Sequence, residues 1–332
     1  MPILFLKNNN GKFENVTPTS GVSDKPGLWN SIVAGDFRHT GRTDYIVGNV
    51  GLNTFYQASD QYPVYITAGD FATNGSFVAI PSLFLPDRHG RPEEFPANGR
   101  DEIIERLPAL KKQFPDYQSF ATATMDNIIP PDKRANGIRL KANTLQSCYL
   151  RNDGQGKFTM IPLPREAQFS VINGMLVDDF DGDGNLDVLI SGNDYGTDVS
   201  IGRYDALNGL LLKGNGKGAF TPLSILQSGI YIPGDGKALI KISGSAGHYL
   251  VAASEHSGPL KIFALNRKIK MIQIAPTDVS ALIQFKDGKT QKEEFYYGSS
   301  FLSQSSRFLP VDNNVSVIQI TDSKGITRRL TF

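Results

Sequence analysis

The stretch Met175-Leu176-Val177-Asp178-Asp179-Phe180-Asp181-Gly182-Asp183-Gly184-Asn185-Leu186-Asp187-Val188-Leu189-Ile190 places two apolar runs on either side of an acidic, glycine-bearing loop. Short apolar runs bounded by turn residues read as strands, so the unit is strand, loop, strand. Its opening, a run of small and apolar residues closed by Asp-Phe, occurs again as Ile32-Val33-Ala34-Gly35-Asp36-Phe37 and as Ile66-Thr67-Ala68-Gly69-Asp70-Phe71, with a weaker relative at Pro233-Gly234-Asp235-Gly236. Apolar runs follow these anchors too, at Tyr45-Ile46-Val47 and Phe77-Val78-Ala79-Ile80.

A second anchor alternates with the first. Asn8-Asn9-Asn10-Gly11-Lys12-Phe13, Asn152-Asp153-Gly154-Gln155-Gly156-Lys157-Phe158 and Gly214-Asn215-Gly216-Lys217-Gly218-Ala219-Phe220 each follow an apolar run and read as hairpin turns. Phe13 precedes Asp36 by 23 residues and Phe158 precedes Asp179 by 21. Fixed order and similar spacing imply a repeated antiparallel unit that stacks on its neighbours. The expected fold is all-β, a propeller-like array of about four to five antiparallel blades. It spans 1–265 and is followed by a small β module over 266–332, where Asp287-Gly288 and Asp322–Gly325 mark hairpins. Between 94 and 143 the strand signals stop. Ile103, Leu107, Leu110 and Phe114 lie at helical spacing, and Tyr117, Phe120, Ala121, Thr124, Met125 and Ile128 form a second stripe, so this segment reads as a helical insertion divided near Pro108.

Composition narrows the function. Lys plus Arg is 34 and Asp plus Glu is 33 in 332 residues, a balance that argues against a general nucleic-acid or polybasic membrane surface. No apolar run is long enough to span a membrane as a helix. The single cysteine, Cys148, excludes an intramolecular disulfide framework and reads as a small buried apolar residue. Met1–Leu6 is apolar but too short for a signal peptide. The expectation is therefore a cytoplasmic chain, or one whose leader and upstream domains lie outside this sequence.

The acidic loop carries the sharpest chemistry. With Asp179 as position 1, oxygen side chains stand at positions 1, 3, 5 and 9 as Asp179, Asp181, Asp183 and Asp187, and Asn185 can add its backbone carbonyl. Gly184 at position 6 allows the chain to wrap around an ion. Clustered carboxylates repel unless a hard cation neutralises them, and a flexible many-oxygen loop suits calcium better than magnesium. Position 12 is Ile190 rather than a bidentate Glu, so this is a strand–loop–strand site and not an EF-hand. One structural Ca2+ is expected. The sister loops have lost their ligands. Asp36 and Asp44 remain at positions 1 and 9 of the first, but Arg38 holds position 3 and is expected to pair with one of them in place of an ion. Around Asp70 and Asn74 the other carboxylates are gone, and no metal is expected there either.

These residues resemble the FG-GAP (VCBS-type) repeat, which builds β-propellers such as integrin α-subunit heads. Tyr297-Gly298-Ser299-Ser300-Phe301-Leu302-Ser303-Gln304-Ser305-Ser306-Arg307 resembles the ASPIC/UnbV motif that follows such repeats in large secreted bacterial proteins. Trp29-Asn30-Ser31 and Ser200–Gly209 also look familial. The resemblance implies a calcium-pinned propeller, secreted or at the bacterial surface, that serves binding or cell adhesion rather than chemistry. The chain departs from the family's multi-ion pattern and repeat count, and an incomplete ring exposes sheet edges that favour oligomers or an upstream partner.

The expected function is thus non-catalytic recognition of a glycan or a protein, with Trp29, Tyr195, Arg203 and Tyr204 as candidate contacts because aromatic faces stack on sugar rings. Two alternatives stand beside it: a scaffold or assembly part of a larger envelope protein, and a propeller glycan lyase or hydrolase. The enzyme reading needs a polar cluster in a cleft. His39, His89, His248 and His256 show no metal or triad spacing, and its best candidates are Glu255-His256 and Arg203-Tyr204-Asp205.

Overall fold

Antiparallel strands form nearly all the regular structure, as the alternating and doubly apolar runs require. The computed structural model describes residues 1–332, the side chain of Ala246 excepted. The fold is all-β, with several separate antiparallel sheets. The chain divides into two compact units, one made of Met1–Ile3, Ser23–Leu28 and Phe55–Leu145, the other of Leu4–Val22, Trp29–Thr54 and Gln146–Phe332.

Three sheets dominate the larger unit. The first runs Ser31–Gly35, Asp44–Gly48, Cys148–Gly154, Lys157–Pro162 in spatial order, and the second Ile172–Asp178, Asp187–Gly192, Leu210–Gly214, Phe220–Leu223. The third has three strands, Gly236–Ser243, Tyr249–Glu255 and Lys261–Ala264. The leading strands Ser31–Gly35, Ile172–Asp178 and Gly236–Ser243 each lie at one edge of their sheet and pack beside one another. Apolar side chains fill the space between sheets. Val33, Ile46, Met175, Val188, Ile190 and Leu212 form one core, and Leu176, Leu189, Leu239 and Val251 another. Val188-Leu189-Ile190 is apolar throughout because the second sheet is covered on both faces, its even and odd residues entering different cores. A third core, with Ile283, Ile318 and Ile320, belongs to the C-terminal sheet of Thr290–Glu294, Asp278–Phe285, Val315–Asp322 and Thr327–Thr331.

The serine-rich stretch near the C-terminus runs along the leading strands. Ser300 N–H donates to the Ile32 carbonyl at 3.0 Å, while Ser300 Oγ accepts from Met175 N–H at 2.7 Å and donates to the Asn173 carbonyl at 2.9 Å. Leu239 and Lys241 donate to Ser303 Oγ and Ser305 Oγ at 3.1 Å each, and Ser306 N–H donates to the Lys241 carbonyl at 2.9 Å. Residues 300–306 thereby hydrogen-bond all three leading strands. The expected open edges are covered at this side by the chain itself, and 266–332 does not separate from the larger unit.

In the smaller unit the helices, Arg100 to Arg134, lie within the expected helical insertion of 94–143. The compact unit around them reaches over 55–145 and carries its own sheet of Pro92–Pro96, Val78–Pro86, Val64–Gly69 and Ile138–Ala142. The anchor run ending at Asp70 is here a central strand, not a leading edge strand as in the first two sheets. Helix Arg100–Arg106 ends before Pro108 as expected, and Ile103, Leu107, Phe114, Met125 and Ile128 are buried. The second stripe is not one helix. Capping boxes at Asp116 and Thr124 start separate turns, Tyr117–Phe120 and Met125–Ile128, which resets the periodicity and leaves Tyr117 exposed. No helix among the described residues is long and apolar enough to cross a membrane.

Ser300→Ala removes the acceptor of the Met175 amide. Loss of a buried pairing of this kind costs about 1–3 kcal/mol, so urea unfolding of the variant is expected to shift by that amount without loss of the native circular dichroism.

Candidate metal centre and aromatic surface

The acidic loop links Ile172–Asp178 to Asp187–Gly192 in the second sheet. Asp179, Asp181 and Asp187 each bring a carboxylate oxygen within 4.8 Å of the others. That separation is about twice a calcium–oxygen bond of ~2.4 Å, so one ion can reach all three. Asp179 Oδ1 and Oδ2 accept from the Gly182 and Gly184 amides at 2.7 and 2.8 Å. Asp187 accepts from Phe180 N–H at 3.1 Å and Gly214 N–H at 2.9 Å. Gly184 has φ +84°, a left-handed conformation that a side chain would strain, and a Cβ on Gly214 would overlap the Leu186 carbonyl.

Burial pushes the Asp179 carboxyl up to about 6, against the Gly184 and Gly182 amides that favour its charge. Burial likewise pushes Asp187 up to about 7, with the charges of Asp181 and Asp179 adding to the shift. A hard cation at this place removes both costs, and the all-oxygen donor set fits one. Asp183 and Asn185, the other two expected ligands, hydrogen-bond within and beside the loop. Asp183 Oδ1 accepts from the Asn185 amide and side chain at 2.9 Å each, and Asn185 Oδ1 meets His39 Nε2 at 3.1 Å. Lys213, on the adjoining strand, meets Asp181 and lies 3.1 Å from Asp183, so an ammonium competes for one of the clustered carboxylates. Outside the cluster, Asp178 Oδ2 accepts from Lys241 Nζ at 3.0 Å and Tyr249 OH at 2.9 Å and ties the loop to the third sheet.

The first sister loop carries a fixed cation. Arg38 binds Asp44 through both ends of its fork, Nε at 3.0 Å and Nη2 at 2.9 Å, as expected, and Nη2 also donates to the Asn152 carbonyl. Asp44 further accepts from Tyr149 OH at 2.6 Å and Asn152 N–H at 2.7 Å. Asp36 caps its own loop by accepting from the Thr40 and Gly41 amides and takes Lys292 N–H at 3.1 Å. Asp70 does the same with the Asn74 and Gly75 amides. Position 1 is therefore a backbone cap in all three loops, whether or not ion ligands surround it.

Of the candidate ligand contacts, Tyr195, Arg203 and Tyr204 come together in one surface excursion. Arg203 lies over the Tyr195 ring at 4.7 Å, Asp194 and Tyr204 exchange backbone hydrogen bonds, and Tyr204 OH meets Thr54 Oγ1 at 2.8 Å. Trp29 is half-buried. The neighbouring Asn30 and Ser31 act structurally, donating to the Ile172 carbonyl at 3.0 and 2.9 Å. Asn30 begins an asparagine relay that the sequence reading passed over. It reaches Asn173, which donates to Asn193 and Gly236 carbonyls, and Asn193 donates to Leu207 and Gly234. Its one local mark in the sequence is Gly192-Asn193, which closes the second strand of the second sheet and is not a periodic signal. Of the enzyme candidates, His256 faces Asp235 while Glu255 faces Lys261, so the two do not form a pair.

Without a cation, Asp179 and Asp187 bind protons more tightly folded than unfolded. Their contribution to stability is complete below the unfolded value near 4 and is lost as pH rises through about 6 and 7. In chelator, urea unfolding is expected to show this decline, and Asp187→Asn to flatten it. Arg38→Ala leaves buried Asp44 with two donors and is expected to cost about 2–3 kcal/mol by the same measurement. Neither a protein-family model nor a curated protein matches this chain.

Proposed function

We propose that this chain is a non-catalytic, calcium-stabilised recognition module of FG-GAP type, secreted or displayed at a cell surface, with a C-terminal ASPIC/UnbV-like segment. In this reading the three stacked sheets are blades of a propeller-like array, their leading strands innermost. The convergence of Asp179, Asp181 and Asp187 within 4.8 Å carries it. These three carboxylates would hold the ion, which neutralises their repulsion and fixes the loop at the end of the second sheet. The ion's role is structural. Ligand contact falls to Tyr195 and Arg203, whose stacked ring and guanidinium present a flat cationic surface suited to a sugar ring or a carboxylate of a glycan or protein. The scaffold reading keeps one observation in its favour, the exposed Leu6 and Phe13 of the N-terminal hairpin Leu6–Asn9 with Lys12–Asn15.

Thermal unfolding in chelator and in millimolar calcium tests the metal. At one hundred times its dissociation constant, calcium is expected to stabilise the protein by about 2.7 kcal/mol, and Asp181→Ala to abolish the gain. An equal gain in the variant would place the ion elsewhere and sink the reading. Lys213→Gln frees Asp181 from a competing exposed ion pair worth about 0.2–1 kcal/mol, so calcium affinity by titration calorimetry is expected to rise by about 1.5–5-fold. Glycan and protein panels probed with calcium present should lose their hits when Tyr195 and Arg203 are both changed to alanine.

A further inference from the structure

The N-terminal hairpin, Leu6–Asn9 with Lys12–Asn15, is built like the outer half of the first two sheets. Asn8 faces Phe13 as Asn152 faces Phe158 and Gly214 faces Phe220. Counting back along each strand, Leu6 corresponds to Leu150 and Leu212, and Leu4 to Cys148 and Leu210. Leu150 and Leu212 are 0% exposed. Leu6 is 55% exposed, Leu4 59% and Phe13 65%. Leu6 and Phe13 stand on one face of the hairpin, while Lys7, Asn9, Lys12 and Glu14 stand on the other, which is the alternation of a strand pair meant to be buried on one side.

In both complete sheets the inner edge of this hairpin is covered by an aspartate-led apolar strand. Tyr45 of Asp44–Gly48 faces Leu150 and Val47 faces Cys148, while Val188 of Asp187–Gly192 faces Leu212 and Ile190 faces Leu210. The leading carboxylate caps the hairpin, Asp44 accepting from Asn152 N–H at 2.7 Å and Asp187 from Gly214 N–H at 2.9 Å. Leu6–Asn9 pairs with Lys12–Asn15 and with no other strand among the described residues. Asn9 and Lys12 close the two-residue turn, so in the alternating antiparallel ladder the amides of Asn8 and Leu6 point away from the partner strand, toward the uncovered edge.

We propose that this edge is a docking site for an extended segment from outside residues 1–332, of the pattern Asp-apolar-x-apolar, which adds antiparallel to Leu6–Asn9. Its aspartate caps the Asn8 amide, its first apolar residue faces Leu6 and its second faces Leu4. Backbone pairing supplies the affinity and the two leucines with Phe13 supply the selectivity. The aspartate-led strands of a second copy are not free to supply this segment. Asp44–Gly48, Asp187–Gly192 and Asp278–Phe285 are each paired along both edges within their own sheets.

The probe is a fluorescent peptide with the sequence of residues 186–193, titrated into the full chain and followed by anisotropy. Saturable binding is expected, with protection of the Leu6 and Asn8 amides from hydrogen exchange. Binding should weaken at least about tenfold, near 1.4 kcal/mol, for chains carrying Leu6→Lys or Phe13→Lys and for a peptide whose aspartate is replaced by alanine. Both side chains are exposed, so each variant should melt as the wild type does. No saturable binding, or binding that ignores these three changes, overturns the proposal. So does a concentration-dependent dimer that Leu6→Lys dissolves and the peptide competes with, since that assigns the edge to a second copy.

Discussion

Everything in the larger unit depends on how three unpaired strand edges are satisfied. Ser31–Gly35, Ile172–Asp178 and Gly236–Ser243 each end a sheet, and their amides and carbonyls need partners that neighbouring sheets, packed face to face, do not provide. Residues 300–306 provide them, with serine hydroxyls standing in for a regular ladder. A hydroxyl both donates and accepts and can turn to suit either group. That is why a serine-rich run, rather than an apolar strand, can serve three differently oriented strands in succession.

The aspartates form a second layer of the same logic. Asp44 and Asp187 join the second strand of a sheet to the third by taking an amide at its end, while Asp36 and Asp179 hold their own loops. Charge then has to be balanced locally. The first loop does so with Arg38 inside the loop, the second with Lys213 outside it and with carboxyls held toward their neutral form by burial. Two solutions to one electrostatic problem lie side by side, connected through His39 and Asn185.

Much of this was legible in the residues. The two anchors marked the strands and turns of the first two sheets, because positive-φ turn residues such as Gly156 and Gly216 and the Asp-Phe junctions leave a local imprint. Arg38 as a substitute cation was readable from charge alone. The extent of the insertion was not, since Val64–Gly69 has the same local pattern as the leading strands and only its pairing with Ile138–Ala142 sets it apart. Asp183 has the spacing of a ligand, and its Oδ1 also accepts from the Asn185 amide, a local contact that spacing does not reveal. The serine stretch and the asparagine relay act between distant segments, where sequence periodicity carries no signal.

The insertion also bears on the order of events during synthesis. Val47 pairs with Cys148, so the second and third strands of the first sheet are separated by roughly a hundred residues. At ~5–20 residues per second, a ribosome needs about 5–20 s to deliver the partner of a strand it has already released. In that interval the inserted unit, whose strands and helices lie within 55–145, has all its own partners in hand, while Ser31–Gly48 waits as a lone hairpin. The enclosed unit is thus free to be finished before the sheet that encloses it, and the nascent hairpin is the segment most in need of protection from premature pairing.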